Sequence, residues 1–218
     1  SSLHDWDIKR PNIRIALAST KDFVKIEKHG IIGPPKTSKA SALFPEKVNG
    51  GKIGLIMTIS ADSVNSHIAI RYYDSIDKIL NQTDESWIEF LAKSQETAVL
   101  QTEWRLHRGP ELGASPIKTD RGWLLIFSNE SMSDSWTTGS ALLDIDNPSK
   151  LIARTPGYIL QPVTDYEREG LVPNVTFPEG AVIVDDELYV YYGCADTVIG
   201  LATCKLSDLL DYLESFKI

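Results

Sequence analysis

The residues with the clearest chemical promise are carboxylates and aromatics at the ends of apolar strands. Asp196 closes the run Tyr191-Tyr192-Gly193-Cys194-Ala195, and a carboxylate at a strand end can accept hydrogen bonds from two vicinal hydroxyls of a sugar. The same residue suits a turn, where an aspartate bonds its own backbone. Tyr192 offers a ring to stack on a sugar or to fill a core, because a strand sends alternate side chains to opposite sides. Glu167 beside Arg168 has an equally bland reading as a solvated charge pair. Cys194 and Cys204 stand ten positions apart with no nearby histidine, so they read as small core residues in a reducing compartment rather than as a zinc site or a disulfide framework. The sequence has no Gly-x-Ser-x-Gly elbow, Walker loop, His-Glu-x-x-His pair or EF-hand loop, so acyl transfer, nucleotide hydrolysis and zinc or calcium chemistry have no support.

The elements that must position these residues are mostly short strands. Period-two or continuous apolar runs occur at Ile13 to Ala18, Ile53 to Ile59, Ile68 to Tyr72, Trp123 to Phe127, Ala181 to Val184, Leu188 to Tyr192 and Ile199 to Thr203, separated by Gly, Asp, Asn and Pro. Helical patterns are confined to Asp84 to Lys93 and to Ser207 to Phe216, where Ser207 is the expected cap. Both helices are expected at the periphery of an all-β chain.

A weak repeat organises the strands. Ala16, Ala69, Ala141 and Leu201 mark similar segments separated by 53, 72 and 60 positions. Each unit holds about four strands, the recurrence of four-stranded antiparallel blades in a β-propeller. The 218 residues then supply roughly three to four blades. Residues 1–218 are read as one propeller domain lacking its N-terminal blade or blades, with the start at Asp5-Trp6-Asp7 leading into an outer strand. Earlier blades or another chain, a homo-oligomer included, are expected to cover its flanks.

The net charge of −8 and the lack of clustered Lys and Arg exclude a nucleic-acid partner. The apolar runs are too short to span a bilayer and the N-terminus lacks the parts of a signal peptide, so a soluble, cytoplasmic protein with no membrane partner is expected.

Three ordered motifs carry a family resemblance. Lys39-Ala40-Ser41-Ala42-Leu43-Phe44-Pro45-Glu46-Lys47-Val48-Asn49-Gly50, Gly113-Ala114-Ser115-Pro116-Ile117-Lys118-Thr119-Asp120-Arg121-Gly122-Trp123-Leu124, and Glu167 to Gly180 followed by Tyr191-Tyr192-Gly193-Cys194-Ala195-Asp196 are similar to segments of glycoside hydrolase family 130. The resemblance implies a five-bladed propeller, of which this chain is the later part, acting on β-linked mannosides. It also implies a general acid in an early Asp-Pro-Arg stretch, which does not occur here. Asp5 and Asp7 sit in no comparable motif, so the catalytic residue is left unassigned.

What the resemblance leaves in this chain is a sugar pocket, with Asp196, Tyr192, Glu167 and Lys39 expected at one channel mouth. Phosphorolytic members gather cations around phosphate, and Lys39 occupies one such position. A second basic position falls among Leu55, Ile56, Met57 and Thr58, and a histidine is replaced by Ser128. His107, Arg105, Arg108 and Arg71 are alternative cations or plain surface residues. With two basic positions gone, inverting hydrolysis is slightly favoured over phosphorolysis, with Glu111 or Glu179 as the base that activates water. The alternatives are a β-mannoside phosphorylase, with inorganic phosphate as co-substrate, or a carbohydrate-binding propeller fragment without catalysis. No cofactor or metal is implied, and the partner is an oligosaccharide.

Overall fold

A computed structural model describes residues 13–36, 38–103 and 106–218. Asp5, Asp7 and Arg105 lie outside the described residues. A short hairpin, β1 (Ala16–Ser19) with β2 (Glu27–Ile31), precedes three antiparallel sheets. The first sheet runs in chain order through β3 (Ser41–Leu43), β4 (Ile53–Ile59), β5 (His67–Tyr73) and β6 (Leu100–Gln101), with α1 (Ile76–Leu80) and α2 (Asp84–Ser94) inserted after β5. The second sheet orders β7 (Leu106–Leu112), β9 (Gly122–Ser131), β10 (Trp136–Leu143) and β11 (Leu151–Arg154). β8 (Ile117–Thr119) also pairs with β9, resuming the edge that β7 begins. A four-residue helix α3 (Asp165–Arg168) leads to the third sheet, β12 (Thr176–Val184), β13 (Glu187–Cys194) and β14 (Val198–Lys205), and the chain closes on α4 (Leu206–Glu214).

The sheets stack face to face, and β9 shows how. Trp123, Leu125 and Phe127 point into a core shared with Phe44, Ile56, Ile68 and Ile70 of the first sheet and its loops. The alternate residues Leu124 and Ile126 join Leu188 and Val190 of the third sheet. Both faces of this strand are dry, which is why β9, like β4, reads as a continuous apolar run rather than an alternating one. A third cluster under the first sheet gathers Leu55, Met57, Ala69 and Tyr73 against Ile79 and Trp87 of the two inserted helices.

Six of the seven apolar runs are strands or parts of strands, whereas of the first, Ile13 to Ala18, only Ala16 to Ala18 lie in β1; the marker segments of the last three repeats are the third strands of their sheets. Several expectations are corrected. The third sheet has three described strands rather than four. Ser207 is not the cap of α4: Lys205 holds that position, and Ser207 Oγ donates to Asp186 Oδ2 (2.9 Å), tying the helix start to the β12–β13 turn. The longer helices lie against the sheets through one buried face each, α2 through Trp87 and α4 through Leu209, Leu210 and Leu213. The outward face of the third sheet carries Val182, Val184, Tyr191, Ile199 and Leu201, all exposed, with Ile199 at 80%.

Candidate functional site

The first strands of the three sheets, β3, β7 and β12, converge on a cleft of about 600 Å³. On β12 and the residue before it, period-two alternation sends Val175, Phe177 and Glu179 into the cleft, while Thr176 and Pro178 are buried on the other side. The second and third sheets approach closely at Gly113, where a Cβ would lie 2.5 Å from Pro178 Cγ and 2.6 Å from the Pro178 carbonyl oxygen. That contact accounts for the glycine of the Gly113-Ala114-Ser115-Pro116 motif. Upstream on the same edge, Gly109 takes φ +101° with Asn129 Cα only 2.9 Å from where a Cβ would be, and the register against β9 shifts between Arg108 and Glu111. Both of those charged residues line the cleft.

Asp196 reaches the cleft from the β13–β14 turn. Ala195 and Asp196 have φ of 46° and 52°; aspartate tolerates this left-handed region, whereas alanine rarely enters it. The turn is over-determined by its neighbours: Ala195 N–H donates to the Val175 carbonyl (3.2 Å), and the Ala195 carbonyl accepts from Val172 N–H (3.2 Å). Lys39 lies just before β3 and forms an ion pair with Asp62 of the β4–β5 turn. The Asp62 N–H in turn donates to Glu111 Oε1 (2.8 Å).

Four carboxylates therefore share the cleft with two cations. Glu111 is only 3% exposed; burial raises its pKa, with the Asp62 carboxylate adding to the rise and the Asp62 N–H, Lys39 and Arg108 opposing it. Burial also raises Glu179, and the nearby Asp196 charge adds to it. Lys39 is paired with Asp62. Arg108 grips the buried Glu130 through two nitrogens, with Nη2 2.8 Å from Oε1, and this bond raises the guanidinium further. His107 Nδ1 stands 3.4 Å from Glu130 and 3.5 Å from Asp134. Arg71 is remote, held by Ser86 and the rings of Trp87, Phe90 and Tyr73.

Of the six residues selected from sequence, Asp196, Lys39 and Glu111 line the cleft, while Tyr192, Glu167 and Ser128 do not. Tyr192 is on the inner face of β13, 3% exposed, and its hydroxyl donates to Glu167 Oε1 (2.7 Å). Glu167 is 2% exposed and also accepts from the backbone N–H groups of Val163 and Thr164 (2.8 Å each). Because the Glu167 carbonyl accepts from Val175 N–H (3.0 Å), this buried pair braces the segment that fixes the Asp196 turn. Ser128 is fully buried in β9 and donates to the Thr137 carbonyl (3.1 Å). Thr58 is likewise internal, accepting from Leu112 N–H (2.8 Å). Asp62, Trp136 and Phe177 also line the cleft and were not selected from sequence.

Burial pushes Glu167 upward, but its backbone donors and the Tyr192 hydroxyl outweigh this and leave its pKa below the usual glutamate value. A depressed carboxylate contributes stability that is present above its unfolded pKa of about 4.3 and lost as pH falls through the lower folded value. Tyr192→Phe removes one donor from a buried carboxylate and is expected to cost about 1–3 kcal/mol at neutral pH, with a smaller cost in acid. Urea unfolding at pH 7 and pH 3 checks this; an equal loss at both would show that the hydroxyl does not act through the Glu167 charge.

A family model described as β-1,4-mannooligosaccharide phosphorylase, glycoside hydrolase family 130, matches residues 9–215. This chain belongs to glycoside hydrolase family 130. The family 130 chain is 35% identical over 196 residues to a 1,2-β-oligomannan phosphorylase of Thermoanaerobacter sp. (strain X514), covering 90% of this chain and 60% of the relative. It is 32% identical over 199 residues to a β-1,2-mannobiose phosphorylase of Listeria innocua, covering 91% of this chain and 52% of the relative. The structure of a Listeria innocua β-1,2-mannobiose phosphorylase with β-1,2-mannobiose superimposes with a TM-score of 0.74 at 31% identity, covering 94% of this chain and 54% of that one. The chain thus spans about half to three-fifths of the length of the curated relatives it matches. Among the described residues, no helix is long and apolar enough to cross a membrane.

Proposed function

We propose that the protein carrying this chain cleaves β-linked mannosides by phosphorolysis, with the cleft between β3, β7 and β12 holding the sugar. The observation that carries this reading is the 35% identity to a 1,2-β-oligomannan phosphorylase across 90% of the chain. It reverses the slight preference for hydrolysis drawn from the missing basic positions. In an inverting displacement, an acid protonates the leaving oxygen while the nucleophile attacks the opposite face of the anomeric carbon. Phosphate needs no base, only cations to offset its charge, and Lys39 and Arg108 are the cleft groups that can supply them. Asp196 would accept from sugar hydroxyls, held by the turn that Tyr192 and Glu167 brace.

Hydrolysis is the second reading, favoured by one specific observation: both cleft cations are already bound to carboxylates. Water would then be the nucleophile, and Glu111 or Glu179, whose pKa values are both raised, would act as its base. In either case this chain is read as the later blades of a five-bladed propeller. The exposure of apolar side chains on β12–β14 among the described residues supports further blades beside it. The experiment is to incubate the full-length protein with β-1,2-mannobiose with and without inorganic phosphate and to separate the products. Phosphate-dependent mannose 1-phosphate is expected. Free mannose formed equally without phosphate would transfer the assignment to hydrolysis, and binding without any product would leave a carbohydrate-binding role.

A further inference from the structure

Trp136 opens β10 and is only partly covered where it lines the cleft. Its backbone N–H donates to the Asn174 carbonyl (2.9 Å), and its ring meets Phe177 with centroids 5.8 Å apart and planes at 52°. The Arg108 guanidinium, itself fixed by Glu130, stands 5.8 Å from the ring centre. Val172 and Val175 line the same cleft. These side chains make an apolar corner inside a cleft that otherwise presents Asp62, Glu111, Glu179 and Asp196. Burying such a corner is favourable only against an apolar surface, while the carboxylates require a ligand rich in hydroxyl donors. A pyranose ring meets both demands, because its C–H faces are apolar and its rim is polar.

The faces of a mannoside ring are unequal. In the chair of a β-mannoside, the hydrogens on C1, C3 and C5 all project axially from one face, whereas the other face carries the axial O2. An aromatic ring can lie flat only on the first of these. In an α-mannoside the axial anomeric oxygen occupies that same face and holds an aromatic ring away.

We infer that Trp136, with Phe177 beside it, is the platform on which the C1, C3 and C5 face of the β-mannosyl ring lies, and that it distinguishes β-linked from α-linked mannosides. This rests on the mannoside reading of the cleft given above. It assigns Trp136 a contact with the ring carbons, leaving the hydroxyl rim to the carboxylates.

The test uses the full-length protein and two probes, methyl β-mannoside and methyl α-mannoside, with binding followed by calorimetry or ligand-observed NMR. Trp136→Leu is expected to weaken methyl β-mannoside about ten-fold and to bring the two anomers toward equal affinity. Trp136→Phe, which keeps a smaller ring, is expected to lose only about two- to three-fold. A merely structural role for the indole would lower the melting temperature without changing the anomer ratio. An unchanged ratio in a folded Trp136→Leu variant would overturn the platform while leaving the mannoside reading intact. If the parent protein binds neither probe, nor β-1,2-mannobiose, the mannoside reading itself fails and the platform falls with it. Should Trp136→Leu not fold, Trp136→Phe and Phe177→Leu make the same comparison, and an anomer ratio unaltered in both would count against the platform.

Discussion

Trp123→Ala is expected to destabilise the fold by about 3–5 kcal/mol, the usual cost of removing a fully buried large aromatic. Trp123 is 1% exposed. It packs edge-on against Phe44 at 5.0 Å and 89°, and its Nε1–H donates to the Ile145 carbonyl (3.0 Å). The substitution therefore opens a cavity between the first and second sheets and also leaves a carbonyl without its partner. Against a total stability of about 5–15 kcal/mol for ordinary domains, the loss removes between about a fifth and the whole of it. Equilibrium urea unfolding checks it: the midpoint should fall with little change in slope, and Trp123→Phe should recover part of the loss. A midpoint within experimental scatter of the parent would mean that the first and second sheets do not share this core.

If the cleft holds the sugar as proposed, Asp196→Asn is expected to lower kcat/KM for β-mannosides by about 10- to 150-fold in the full-length protein, equivalent to the ~1.5–3 kcal/mol of a hydrogen bond to a charged group. The exchange keeps the turn, since asparagine also tolerates positive φ, and removes only the charge and part of the accepting capacity. Glu111→Gln provides the companion measurement through the pH profile. Because burial raises the Glu111 pKa, any activity that depends on its ionised form should decline on the acid side at a pH above the ordinary glutamate range. The Gln variant should lose that limb and retain whatever limb belongs to other groups. Unaltered kinetics in Asp196→Asn, with an intact fold, would remove this aspartate from the sugar site.

The strands were legible in the sequence wherever burial on one or both faces wrote a pattern. Ile53 to Ile59 and Trp123 to Phe127 are almost continuously apolar because both of their sides are covered, the latter by a sheet on each side and the former by a sheet on one side and the inserted helices on the other. β2, with the composition Glu-Lys-His-Gly-Ile, and β6, only two residues long, carry no such pattern and owe their conformation to pairing with a neighbouring strand. In the candidate site, Asp196, Lys39 and Glu111 were legible as charged residues beside recognisable motifs. Tyr192 was not assignable from alternation alone, because alternation separates two faces without saying which one meets the cleft. Glu167 was misleading in the same way: adjacency to Arg168 suggested a solvated pair, whereas its carboxylate is turned inward to backbone donors and the Tyr192 hydroxyl. Asp62 and Trp136 were invisible because their positions depend on how separate sheets approach one another, a relation that no local spacing encodes.

The division between the edge strands that border the cleft and the second and third strands that fill the cores has an evolutionary consequence. β4, β5, β9 and β10 carry most of the dry contacts between sheets, while most of the cleft residues stand on or beside β3, β7 and β12. Substitutions at positions such as Ser115 or Val172 can alter the reach and polarity of the cleft without drawing on the packing that keeps the sheets together. The ligand preference of the cleft can then diversify among descendants at little risk to the scaffold, one rim position at a time.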